Sequence, residues 1–126
     1  MSNWEEFKFE ERIRKILSDI KYFREDHHFG RPFLTAYQIA IEFKKRYPED
    51  FKKIGLPVGG KGIGNRNSLA QYLAGQLSRR FKELSDIECA FISNKHLKNL
   101  SFDNEGFEII SSLTETEFDL SMFRLK

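Results

Sequence analysis

A single cysteine, Cys89, stands in the 126 residues. That excludes an intramolecular disulfide and any ligand set built on paired cysteines, such as a zinc finger. Cys89 lies in the apolar run Cys89-Ala90-Phe91-Ile92 and reads as a buried, reduced, inert thiol of a cytoplasmic protein. Long apolar runs are also missing, and none approaches the ~20 residues that span a bilayer, so no membrane partner is expected. The opening MSNWEEFKFEER is charged from Glu5 and holds no apolar core of a secretory leader. Internal repeats and low-complexity linkers are lacking too. A single domain over residues 1–126 is therefore expected. It is long enough to bury a core without staples. Hydrophobic residues at 40% and charged residues at 32% place it among globular chains, with thirteen Phe to fill the interior.

Acidic residues are absent from Gly55 to Lys82, the stretch GLPVGGKGIGNRNSLAQYLAGQLSRRFK. The net charge of +2 hides a strong partition. Residues 1–42 hold 7 basic and 8 acidic side chains, net −1; residues 43–82 hold 10 and 2, net +8; residues 83–126 hold 4 and 9, net −5. A cationic middle third suits a polyanion. Two plainer readings are a solvated basic face and a basic face paired with the acidic last third.

Apolar residues at Phe9, Ile13, Ile16, Leu17, Ile20 and Phe23 make one helical stripe. The spacing predicts a scaffold helix from Trp4 to about Asp26, inside an N-terminal segment 1–33. At Leu34-Thr35-Ala36-Tyr37-Gln38-Ile39, Thr35 fits the N-cap and Gln38 the third position of a capping box. That helix runs to Tyr47, where Pro48 stops it. Five of the eight glycines then fall between Gly55 and Gly64. Asn65 or Asn67 caps the next helix, which buries Leu69, Leu73, Leu77 and Phe81 and is flanked by Tyr72 and Leu84. Gly75 in its middle costs ~1 kcal/mol relative to alanine, which a close backbone or ligand would explain. Ile87 to Ile92 reads as a strand. Leu100–Phe102 and Phe107–Ile110 read as a hairpin around the loop Asp103-Asn104-Glu105-Gly106. The acidic-apolar tail 113–126 alternates Phe118, Leu120 and Met122. It either adds a strand or docks as a short helix, and its carboxylates can mask the basic face.

Three main helices followed by a small antiparallel hairpin is an α+β order that resembles a winged helix-turn-helix over residues 34–112. The capped opening Leu34-Thr35-Ala36-Tyr37-Gln38-Ile39-Ala40 is similar to that of such domains. The resemblance implies that Asn65 to Lys82 is the recognition helix and Asp103 to Gly106 the wing tip. The partner expected from the residue types on that helix face is nucleic acid, duplex DNA. One departure stands out: about eighteen residues, Pro48 to Asn65, separate helices usually joined by three or four. Either the turn carries an insertion or the fold is another α+β one.

The candidate contacts are Lys61, Asn65, Arg66, Asn67, Ser68, Gln71, Arg79 and Lys82. Arginine matches guanine, and asparagine or glutamine matches adenine, through paired hydrogen bonds. Serine, lysine and the N–H groups of a helix start can hold phosphates. The segment Gly55 to Gly62 nearly matches a phosphate loop, but Gly62 stands where a magnesium-binding Ser or Thr belongs. His27, His28 and His96 lack the spacing that points two imidazoles at one metal, and the carboxylates show no catalytic pairing. The expected activity is non-enzymatic nucleic-acid binding, with no catalytic residue, cofactor or metal. A protein-interaction module or a homodimer with polarised charge is the alternative, and an enzyme acting at a phosphate through the glycine loop is the third reading.

Overall fold

Thr35 and Ser68 start the two helices around which the core forms. In a computed structural model describing residues 2–60, 67–111 and 119–126, these helices belong to a mixed α+β chain. Thr35 caps α3 (Ala36–Arg46). Its Oγ1 accepts the Gln38 N–H at 3.3 Å, and Gln38 Oε1 accepts the Thr35 N–H at 2.8 Å, a complete capping box. Pro48 opens α4 (Pro48–Ile54), where its missing N–H costs no hydrogen bond, and Gly55 ends it in the left-handed region at φ 74°. Ser68, rather than Asn65 or Asn67, caps α5 (Leu69–Arg79). Leu69, Leu73 and Leu77 of α5 are buried against Ile39, Ala40 and Phe43 of α3 within one core.

The N-terminal segment departs from the single helix expected over Trp4 to Asp26. It forms α1 (Asn3–Glu6) and α2 (Phe9–Ser18), separated at Lys8, which turns left-handed at φ 53°. On an unbroken helix Phe9 would stand roughly 140° around the axis from Trp4. The break lets Trp4, Phe7 and Phe9 all enter the core, with the Trp4 and Phe9 rings 5.8 Å apart. Phe9 also meets Phe43 at 4.9 Å. Beyond Ser18 the periodic pattern continues, but Phe23 stands fully in solvent. Asp19 closes α2, held by Lys15 at 3.2 Å and Arg46 at 2.9 Å.

The strands are β1 (Leu34–Thr35), β2 (Ile87–Ile92), β3 (Ser101–Asn104), β4 (Phe107–Ile110) and β5 (Leu120–Leu125). They form an antiparallel sheet of order β1-β5-β2 and a separate β3-β4 hairpin. The tail is thus a central strand, with Phe123 opposite both Leu34 and Cys89. Its masking of the basic face is set aside for residues 119–126; Phe118 and the rest of 112–118 lie outside the described residues. The hairpin turn is also tighter than the four-residue loop expected. Asp103 and Asn104 join β3, leaving Glu105 (φ 52°) and Gly106 (φ 94°) as the two turn residues. Phe102 stacks on Tyr37 at 5.2 Å, which fastens the hairpin to the first turn of α3. Arg14 of α2 clasps Asp86 through two bonds of 2.9 and 3.0 Å, fixing the approach to β2. Among the described residues no helix is long and apolar enough to cross a membrane.

Two outcomes follow from these contacts. Phe123→Ala removes a side chain 1% exposed at the middle of the sheet. It should lower unfolding free energy by about 3–5 kcal/mol in denaturant titrations. Deleting residues 114–126 should abolish cooperative unfolding altogether. The Arg14 hydrogen bonds hold the Asp86 carboxyl below the usual carboxylate range. A depressed carboxylate stabilises above its unfolded-state value, and that contribution vanishes as pH falls through the folded one. Melting temperature should therefore decline from about pH 5 downward, and less so in Asp86→Asn. The pair is half exposed, so its share is about 0–1 kcal/mol.

Candidate nucleic-acid interface

The start of α5 is closed by the glycine loop. The Leu69 N–H donates to the Pro57 carbonyl at 2.8 Å and the Ala70 N–H to the Val58 carbonyl at 2.9 Å. The Gln71 N–H donates to Ser68 Oγ at 3.1 Å. These are the orphan donors a phosphate would otherwise take. Ser68 itself is buried. The expectation that Ser68 and the first N–H groups of this helix hold a phosphate is therefore corrected: they hold the loop. Gly59 (φ 138°) lies where a Cβ would meet Ser68 Oγ at 3.1 Å and Tyr37 at 3.2 Å. A Cβ on Gly60 (φ 121°) would sit 2.8 Å from Ile109. Over Val58 to Gly60 the glycine run is a packed joint between α3, α5 and the hairpin. Lys61 to Arg66 lie outside the described residues, and with them the candidate contacts Lys61, Asn65 and Arg66.

The exposed side of α5 presents Gln71, Ala74, Gly75, Ser78 and Arg79, and Lys82 follows in the turn beyond. Asn67 is exposed immediately before the cap. Thus Gln71 and Arg79 share one helix face, Asn67 and Lys82 extend it at the two ends, and Ser68 is withdrawn beneath. The Arg79 guanidinium lies over Gly75, 3.6 Å from where a Cβ would project. Phe81, expected in the core, is 57% exposed because α5 ends at Arg79, and Leu84 is buried in its place.

This face forms one wall of a groove of about 870 Å³, with Ile87 to Phe91 of β2 as the other. The β2 wall was not legible as a site from sequence. Its only signal was the alternation Ile87, Cys89, Phe91, which says that these residues share a face but not that the face is open. Cys89 is exposed there rather than buried, while partial burial of its thiol pushes the pKa up and keeps it protonated.

The cationic middle third is partly spent on the fold. Arg46 is held by Glu42 at 2.8 Å and Asp19 at 2.9 Å, with its pKa raised. Arg80 lies over the Trp4 ring at 4.7 Å and bonds Gln76 at 3.1 Å. Arg79 and Lys82 make no ion pair with a described residue and stay in solvent. Among the described acids of the last third, Glu88 pairs with Arg124 at 2.7 Å, and Asp119 accepts the Asn94 N–H at 3.0 Å. His27 and His28 stack on each other at 4.2 Å. Among the described residues no group of three or more His, Cys, Asp or Glu is placed to hold a metal.

The packed joint yields a stability prediction. Gly60→Ala should destabilise by more than ~1 kcal/mol, since both the clash and the positive φ oppose it. Ser68→Ala should cost ~1 kcal/mol as a lost cap. Chemical denaturation of both variants checks this. Comparison with known protein families, with curated proteins and with solved structures finds no match for the chain.

Proposed function

We propose that the protein is a winged-helix-like, non-enzymatic nucleic-acid-binding domain that takes duplex DNA on the exposed face of α5. One observation carries the reading: α5 is followed by β2 and β5 in a sheet of order β1-β5-β2, and it turns an acid-free face with Gln71, Ser78 and Arg79 to solvent. A short strand before α3, a capped helix after it and a sheet completed by the last strand is the element order that such domains use. The long Pro48-to-Asn65 connection then reads as an enlarged turn, part of it folded as α4 and part as the packed glycine joint. In place of a simple wing, the β3-β4 hairpin is inserted between the paired strands β2 and β5.

In this reading Gln71 and Arg79 read base edges or phosphates, and Asn67 and Lys82 hold the backbone on either side. No cofactor takes part, and the reduced thiol suits the cytoplasm. The test is a titration against duplex DNA, single strands and RNA at two salt concentrations. Arg79→Ala should weaken duplex binding by about 1–3 kcal/mol if it reads a base. Lys82→Ala should weaken binding to all sequences alike and lower the salt slope by about 1. Unchanged affinity in the double variant for every nucleic acid would overturn the assignment.

A further inference from the structure

Strand β2 lies at the border of its sheet, and the direction of its free hydrogen-bonding groups follows from one contact. The Lys126 N–H donates to the Asp86 carbonyl at 2.9 Å, so residues 86 and 126 form a hydrogen-bonded pair. In an antiparallel ladder such pairs alternate. Glu88, Ala90 and Ile92 therefore bond β5, and Ile87, Cys89 and Phe91 direct their peptide groups to the open border. The Ile87 N–H is already taken by the Leu84 carbonyl at 2.9 Å, which leaves Ile87 its carbonyl alone. Several devices that usually blunt such a border are missing from the strand itself. Ile87 to Ile92 holds no proline or lysine, and its register with β5 runs without a bulge. Beside it, Phe91 is 69% exposed.

We propose that β2 pairs with β2 of a second copy of the chain, antiparallel, about a two-fold axis at Cys89. The strand itself specifies this occupant. In that register the two Cys89 residues exchange N–H···O bonds, and each Phe91 N–H reaches the Ile87 carbonyl of the other copy. The free groups on one edge are thus the complement of the same groups turned around. Side chains match as well. Phe91 stands opposite Ile87 of the second copy, at the floor of the α5–β2 groove, and covers apolar surface there. The charged Glu88 lies on the other face, held by its own Arg124 at 2.7 Å and opposite Ala90, so no like charges oppose. An axis perpendicular to the sheet joins two three-stranded sheets and keeps both α5 helices on one side. This pairing stands independently of nucleic-acid binding.

Sedimentation equilibrium over a wide concentration range, together with oxidative cross-linking of the native chain, tests it. Opposed residues of a hydrogen-bonded pair have Cα atoms about 5.5 Å apart, within the about 4.4–6.8 Å reach of a disulfide. The expected result is a reversible dimer that oxidant locks through Cys89. Phe91→Lys should lose both the dimer and the cross-link while keeping the native circular dichroism spectrum. Phe23→Lys, which alters an exposed phenylalanine away from the border, should keep both. A native chain that stays monomeric throughout overturns the proposal. So does a dimer that survives Phe91→Lys or resists cross-linking, and so does one that Phe23→Lys abolishes equally.

Discussion

Strand β5 comes last in the chain and yet lies between β1 and β2. Its backbone pairs with both neighbours, and its Phe123 side chain enters the core beneath α2 and α3. The sheet therefore cannot close until the C-terminal residues arrive, and the Leu34–Phe123 pairing spans most of the chain. Loop closure of that length is entropically costly before any contact repays it. What makes it worthwhile is that one strand satisfies two edges at once. Without β5, two strands and the face of the helical core would be left open.

A second constraint is the lashing of α5 by the glycine joint. Pro57 and Val58 offer carbonyls to the first N–H groups of the helix, and Gly59 and Gly60 allow the approach by having no Cβ. The same joint touches Tyr37 at the start of α3 and Ile109 on the hairpin. Tyr37 in turn stacks on Phe102. Four elements are thus referenced to one another through a few ångströms of backbone. Helix α5 is accordingly held at its N-terminal end by the joint and at its C-terminal end by Arg80 over the Trp4 ring, while Arg79 and Lys82 stand exposed. Electrostatics follow the same division. Arg14, Arg46 and Arg124 serve to bind elements together, whereas Arg79 and Lys82 make no ion pair with a described residue.

The sequence alone determined the helices whose start signals and apolar periods are local. Thr35 and Gln38 specify the capping box, Pro48 and Gly55 bound α4, and Leu69, Leu73 and Leu77 mark the buried side of α5, because each effect acts within four or five residues. It also determined the acid-free face that carries Gln71 and Arg79. The tertiary structure decided the rest. Only packing shows that Lys8 breaks the first helix so that Trp4 and Phe9 can both be buried, and that Phe81 is left in solvent while Leu84 replaces it. Only the sheet shows that the tail is its middle strand and that Cys89 and Phe91 border an open groove, since alternation in a strand names a face without naming what covers it. The roles of Ser68 and the glycines changed for the same reason. A serine before a helix and a glycine run are compatible with a phosphate or with a neighbouring carbonyl, and the choice rests on which of them the folded chain brings within hydrogen-bonding distance.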